Sequence, residues 1–162
     1  MNIFTVSFFG HRQLDEPFVI EEKLERIIRE LLATKEYVEF LVGRDGEFHQ
    51  LVSSTVRRCK RTIYDDNSAL ILVLPYATAE YRNNEQSFHQ YYDAVEICAE
   101  SARIHFKGAH QVRNRWMVDR SDMVVFALTT TLAELIRPCN MLSGMVQCTS
   151  VCRSQTNREH LY

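Results

Sequence analysis

The sequence predicts an α/β fold in which helices cover both faces of a mostly parallel β-sheet. Residues 69–74 (ALILVL) form a continuous apolar run, as expected of a central strand that is covered on both faces. Strand-like segments alternate along the chain with amphipathic segments of helical length, which is typical of βαβ crossovers. A length of 162 residues is enough for one such layered domain and too short for two independent cores.

The composition excludes several classes of protein. With 19 basic and 21 acidic side chains, the net charge is −2, so the chain lacks the positive charge of a general nucleic-acid or membrane-surface binder. The longest apolar stretch is far shorter than the roughly 20 residues of a transmembrane helix. The five cysteines include no CxxC pair, which favours reduced thiols over a disulfide framework. We therefore expect a cytoplasmic protein.

The first strand and helix are predicted in residues 3–34. Residues 3–9 form a mainly apolar and β-branched run that ends at Gly10, which indicates a buried strand. Asp15 precedes Glu16 and Pro17 and is expected to cap the following helix, since proline is tolerated in a first helical turn. Apolar residues then recur at steps of three and four, which predicts an amphipathic helix that ends near Thr34. These apolar positions are Ile20, Leu24, Ile27, Ile28 and Leu31.

The alternation continues to residue 128. A second strand is predicted at residues 37–42, and a glycine-containing turn at residues 43–46 leads into a helix whose basic side we interpret as a solvated face. Residues 76–92 lack a clear period and are expected to form a long excursion with a helical turn. The remaining elements are the third strand at 69–74, a short fourth strand at 94–97, a helix at 101–120 and a fifth strand at 123–128.

Three polar clusters accompany these strands, and we expect them at the carboxyl ends, where parallel sheets bind ligands. They are Gly10-His11-Arg12, the segment 43–49 (GRDGEFH), and Arg113-Asn114 with Met117, Asp119, Ser121 and Asp122. Glycine allows close approach of the backbone to a phosphate, and arginine can bind it through two hydrogen bonds. The clusters therefore indicate a nucleotide or phosphorylated-ligand site, although glycine after a strand is also ordinary turn chemistry.

Other chemistries are weighed against this one. The histidines lack HExxH-type pairing, so we expect no metal site and no cofactor. Asp45, Glu47 and Glu80 could supply a carboxylate pair for glycoside chemistry, but their separation is not readable from the sequence. The aromatic residues of the excursion and Trp116 could stack on a base or simply pack. Those aromatic residues are Tyr76, Tyr81, Phe88, Tyr91 and Tyr92.

Four segments in order resemble the YpsA-like branch of the SLOG superfamily, which is related to the DprA/Smf and LOG proteins. They are SFFGHR (7–12), FLVGRDGEFHQLVSSTVRR (40–58), LPYATAEYRNNEQSFHQYYDAVEI (74–97) and RNRWMVDRSDMVVF (113–126). The resemblance implies a Rossmann-like sheet over residues 1–128 with a pocket for a nucleotide or nucleotide-derived molecule. Members of the superfamily are mostly regarded as ligand sensors or binding modules.

The resemblance assigns ligand contacts by position. Arg12, Arg44 and Arg113 match phosphate or ribose contacts, and Glu47 and Asn114 match polar orienting positions. His49 departs from the family, which usually has aspartate there. The full set of expected ligand-binding residues is Gly10, His11, Arg12, Gly43, Arg44, Gly46, Glu47, Phe48, Arg113, Asn114, Asp119, Ser121 and Asp122.

Residues 129–162 depart from the family, and we expect an atypical, partly disordered tail. The family continues here with a glycine-rich loop similar to GGAY-x-TM-x-YA. Back-translating residues 132–152 and displacing the frame by two nucleotides permits GGAYTTMQYAERYGAVYKCL. We therefore hypothesise a frameshift, which would also explain why Cys139, Cys148 and Cys152 cluster there. An intact frame across the codons of residues 126–131, resequenced in several independent isolates, would contradict it.

The resemblance favours binding or sensing of a nucleotide-derived molecule over catalysis. The alternative is a LOG-like nucleoside 5′-monophosphate phosphoribohydrolase with Glu47 as acid/base, but the PGGxGTxxE motif of such enzymes is absent. A DNA-binding relative of DprA is a third reading. We do not expect nucleic acid or a membrane as partner, because the basic residues form no strong patch beyond positions 57–61. A homo-oligomer is left open.

Overall fold

The computed structural model describes residues 1–63 and 66–127, together with the backbone of Val146–Thr149. The elements follow the predicted alternation. The strands are β1 (Ile3–Gly10), β2 (Tyr37–Val42), β3 (Ser68–Leu74), β4 (Ala94–Ile97), β5 (Met123–Ala127) and β6 (Val146–Thr149). The helices are α1 (Pro17–Thr34), α2 (Glu47–Ile63), α3 (Ala79–Asn83), α4 (Glu85–Tyr91) and α5 (Phe106–Arg120), with a 3₁₀ turn at Ser101–Arg103.

The strands form one sheet in the order β4-β3-β2-β1-β5-β6. Strands β1 to β5 are parallel, and β6 pairs antiparallel with β5. The chain moves outward from β1 to β4 and then crosses back to place β5 beside β1. The strand order therefore reverses between β1 and β5, as at the ligand-binding crevice of Rossmann-like sheets. The predicted Rossmann-like α/β class with a mostly parallel sheet is confirmed.

Helices cover both faces of this sheet. On one face, α1, α2 and Phe88 of α4 pack against the larger core cluster, which includes Phe8, Phe40 and Leu72. On the other face, Met117 of α5 packs with Leu41, Ile71 and Val73. Successive strand residues point to opposite faces, so Phe40 and Leu41 enter different layers. The continuous apolar character of β2 and β3 follows from this double coverage.

Two predicted helix starts differ from the structure, by one residue for α1 and by five for α5. Helix α1 begins at Pro17, so its N-cap is Glu16 and not Asp15, and no side chain caps the first turn. The helix predicted from residue 101 begins at Phe106, with His105 as N-cap. The reason lies in Ser101, whose hydroxyl donates to the carbonyls of Pro75 (2.6 Å) and Cys98 (3.0 Å) and ties a separate 3₁₀ turn to the end of β3.

The other predictions concern the excursion, the cysteines and the tail. Residues 76–92 contain two short helices where one turn was predicted. Cys59 and Cys98 are free thiols and both are buried. The tail prediction lies outside the described residues, and so do the side chains of Cys139, Cys148 and Cys152. Only the backbone of β6 is described in this segment, and the sequence did not predict that strand. None of the described helices is both long and apolar enough to cross a membrane.

Candidate functional site

The loops that follow β1 and β2 meet at the N-terminus of α2. The amide of Glu47, the first residue of α2, donates to the carbonyl of Arg12 (2.8 Å). The Glu47 carboxylate accepts a hydrogen bond from the amide of Leu14 (2.9 Å). Glu47 thus holds the first loop against the second helix, and its carboxylate is already engaged by the chain's own backbone.

Gly10 and Gly46 allow this close approach between the two loops. A Cβ on Gly10 would lie 2.4 Å from ring atoms of Phe48, and Phe48 itself is fully buried. Gly46 has φ +97°, in the left-handed region, and a Cβ there would lie 2.5 Å from Cα of Arg12. Both glycines therefore serve contacts between protein segments, and Phe48 serves core packing, whereas the sequence assigned all three to a ligand.

Arg113 of α5 reaches the same edge from the opposite face of the sheet. Its side chain is buried, with the residue only 4% exposed, and its Nη1 donates to the carbonyl of Val73 (2.8 Å). Within the part of the chain that the structure describes, its Nε has no hydrogen-bond partner and no carboxylate forms an ion pair with the guanidinium. Burial lowers the pKa of Arg113, and the negative charge of Asp45 opposes that effect. The structure therefore holds an incompletely compensated cation here.

Gly43, at the end of β2, provides the space for this cation. A Cβ on Gly43 would lie 2.7 Å from Nη1 of Arg113 and 3.2 Å from the ring of His49. The amide of Gly43 donates to Nδ1 of His49 (3.3 Å), which places the imidazole proton on Nε2. Burial and the charge of Arg113 lower the pKa of His49 to about 4. His49 is therefore neutral at physiological pH beside the buried guanidinium.

An exposed contact between Asp45 and His110 lies at the turn next to Gly43. Asp45 Oδ2 is 3.3 Å from Nδ1 of His110, and both side chains are almost half exposed. The ring of His110 packs edge-on to Tyr76, with centroids 6.2 Å apart. The turn after β2, the first residues of α5 and the loop after β3 are thus brought together around Arg113.

Arg44 points away from this group. Its guanidinium pairs with Glu80 of α3 and lies 4.4 Å above the ring of Phe88. The sequence placed Arg44 beside Arg12 and Arg113 as a phosphate contact, but the structure separates it from Arg113. Its neighbours are the helices that follow β3.

Asp119, Ser121 and Asp122 lie at the opposite edge of the sheet, away from the other predicted ligand contacts. Ser121 bonds to Ser7 (2.6 Å) and to the carbonyl of Met117 (2.7 Å). Asp122 accepts from the amide of Thr5 (2.8 Å), and its own amide donates to the Thr5 carbonyl (2.8 Å). These residues precede β5, and the segment before a parallel strand lies at its amino end.

The remaining predicted site residues stay near the carboxyl edge. His11 and Arg12 are exposed in the loop after β1, and Asn114 is half-buried beside Arg113 in α5. Of the expected contacts, the structure therefore keeps Arg12, Gly43, Arg113 and the N-terminus of α2 together. No group of three or more His, Cys, Asp or Glu residues within ranges 1–63 and 66–127 could hold a metal ion.

The basic side of α2 is largely neutralised by other side chains. Arg58 pairs with Glu21 (2.5 Å) and Glu25 (2.8 Å) of α1. Lys60 pairs with Asp93 (2.5 Å), and the guanidinium of Arg57 lies 4.0 Å over the ring of Tyr91. These contacts support the interpretation of this side as a solvated helix face.

Comparison with known proteins adds no relative. No protein-family model matches the chain, and no match to it is found among curated proteins.

The contact between Gly46 and Arg12 leads to a stability prediction. We expect Gly46→Ala to lower the free energy of unfolding by about 2 kcal/mol or more, because it adds strain at positive φ and a backbone clash. Gly108→Ala is the matched control, since its Cβ would meet only Ile104 Cδ1 at 3.4 Å in a helix, and it is expected to stabilise by up to about 1 kcal/mol. Urea unfolding measures both. If both variants changed the free energy of unfolding equally, the close contact between Gly46 and Arg12 would be contradicted.

The neutral state of His49 leads to a pH prediction. Because its pKa is about 6.5 unfolded and about 4 folded, the unfolded chain binds the extra proton between these values. Stability should therefore be fully present above pH 6.5 and fall as pH drops towards 4, with His49 contributing roughly 3 kcal/mol of that loss. His49→Gln keeps an acceptor for Gly43 and should show a shallower dependence, whereas the exposed control His89→Gln should match wild type. If the free energy of unfolding, measured with urea, changed equally between pH 4 and 7.5 in wild type and His49→Gln, this role of His49 would be refuted.

Proposed function

We propose that the protein is a SLOG-type module that binds a nucleotide or nucleotide-derived small molecule, with a phosphate group beside Arg113. The observation that carries the proposal is the buried guanidinium of Arg113, which has one backbone acceptor and no described anionic partner in contact with it. Removing a cation from water costs several kcal/mol unless charge and hydrogen bonds compensate it. A bound phosphate supplies both.

The N-terminus of α2 supports an anionic ligand at this place. In its first turn, the amides of Glu47 and Gln50 are used by Arg12 and Gly46, and the amides of Phe48 and His49 have no acceptor among the described residues. A helix N-terminus combines such free donors with a partial positive charge and therefore favours phosphate. Gly43 beside it carries no side chain that would block the approach of a ligand to Arg113.

The sheet topology supports a nucleotide in particular. The strand order reverses between β1 and β5, and Gly10 and Ala127 are paired at the carboxyl ends of these strands. Nucleotides bind in Rossmann-like sheets outside this reversal. In the SLOG family the glycine-rich loop follows the strand that corresponds to β5. On the sequence grounds given above, we propose that the protein acts in the cytoplasm.

No observation favours the phosphoribohydrolase alternative. The Glu47 carboxylate, its expected acid/base, is bound to the amide of Leu14 and fixes the first loop. Binding without catalysis is therefore the function that we propose.

Replacing Arg113 tests this proposal. We expect Arg113→Met to reduce nucleotide affinity by tenfold to hundredfold, which corresponds to the loss of charge-assisted hydrogen bonds worth about 1.5–3 kcal/mol. The same variant should unfold without ligand at a temperature equal to or above that of wild type, because it removes a buried, poorly compensated charge. Titration calorimetry with AMP, ADP-ribose, NAD and cyclic nucleotides, and thermal unfolding, measure the two effects.

The exposed Arg115 of the same helix provides the control, and Arg115→Met should leave affinity unchanged. If Arg113→Met bound every nucleotide as wild type does, the anion site would be refuted. A large loss of stability in the ligand-free variant would show instead that the guanidinium serves the fold.

A further inference from the structure

We propose that the cavity between α2 and the α3–α4 segment is a subsite for the base of a nucleotide, with Arg44 and Glu80 contacting the edge of the base. This inference rests on the proposed function, since the base would belong to the nucleotide whose phosphate lies beside Arg113. The cavity has a volume of about 440 Å³. Arg44 lines it and directly follows Gly43, so the cavity and the anion site share the turn after β2.

The cavity offers planar surfaces for stacking. The guanidinium of Arg44 covers the ring of Phe88 at 4.4 Å, and the Arg44 side chain is 37% exposed and lines the cavity. Tyr91 and Tyr92 line the same cavity and pack edge-to-face, with centroids 4.8 Å apart. Bases stack both on arginine planes and on aromatic rings. A flat heterocycle therefore suits these walls.

The polar groups of the cavity match the edge of a nucleobase. Glu80 accepts from Arg44 and has oxygen lone pairs left, and the guanidinium has further N–H donors. Together they present an acceptor beside a donor. Nucleobases carry the complementary arrangement, as in the amino group and N7 of adenine, the N1–H and O6 of guanine or the N3–H and O4 of uracil. An apolar ligand would leave the remaining donors and lone pairs of the Arg44–Glu80 pair without hydrogen bonds, and a bare anion would be repelled by Glu80.

Local contacts hold Glu80 in position. Thr78 caps α3 by accepting from the amide of Tyr81 (3.1 Å), and Arg82 donates to the carbonyl of Ala77 (2.9 Å). Asn84, which lines the cavity, donates its Nδ2 to the carbonyl of Glu80 (3.0 Å) and keeps its Oδ1 as an acceptor. The edge-contacting groups are thus set by the short helix itself and need no ligand to order them.

Calorimetric titration of the full chain tests the subsite with five probes: pyrophosphate, AMP, GMP, UMP and adenosine. Wild type should bind AMP, GMP or UMP at least tenfold more tightly than pyrophosphate. Ser87→Trp, which fills the cavity, should reduce the affinity for all three nucleotides to that for pyrophosphate. Glu80→Gln should change the ratio of AMP to GMP affinity, whereas Glu85→Gln, on the neighbouring helix and outside the cavity lining, should change nothing. Pyrophosphate binding should be equal in all four proteins.

The outcomes separate this inference from the proposed function. Equal binding of pyrophosphate and all three nucleotides, or a preference for nucleotides over pyrophosphate that survives Ser87→Trp, overturns the subsite and leaves the anion site standing. Adenosine binding that Ser87→Trp abolishes, without any pyrophosphate binding, supports the subsite and overturns the anion site. Absence of binding by every probe overturns both.

Discussion

The buried guanidinium of Arg113 is the constraint on which the carboxyl edge of the sheet depends. Because Arg113 crosses from α5 to the carbonyl of Val73 and to the end of β2, residue 43 must lack a side chain. The same cation helps to keep His49 neutral, and Asp45 is the main opposing charge. Arg113 therefore places a positive charge beside the turn before α2, helps to keep His49 neutral and requires that residue 43 has no side chain. An arrangement that costs stability in this way is typical of a binding site.

A second set of contacts makes this edge a single rigid unit. Glu47 binds the loop after β1, Gly46 lets Arg12 approach, and Phe48 packs on Gly10. At the other edge, Ser121 and Asp122 join the start of β5 to β1. This difference between the two edges explains why polar clusters of similar composition have different roles. Contacts at the amino edge serve the fold, whereas the Nε–H of Arg113 at the carboxyl edge is an unused hydrogen-bond donor among the described residues.

The fold could be predicted from the sequence because its signals are local. The apolar runs of β2 and β3 and the period of α1 reflect burial, which depends on neighbouring residues along the chain. The site was only partly predictable, since the contact of Arg113 with Gly43 and the pairing of Asp45 with His110 depend on the packing of α5 against the sheet. Arg44 was placed with Arg113 because both are arginines near strand ends. Its orientation towards Glu80 follows from α3, which lacks a periodic signal.

Nitrogen-15 NMR of the arginine side chains during titration with AMP or GMP is the most direct test of the central claim, because it observes the Nε–H group that has no hydrogen-bond partner among the described residues. We expect the Arg113 Nε–H resonance to shift and its exchange with water to slow as nucleotide binds, while the resonance of Arg115 stays unchanged. Nucleotide binding that leaves the Arg113 resonance unchanged would contradict the assignment of the buried guanidinium as the phosphate site.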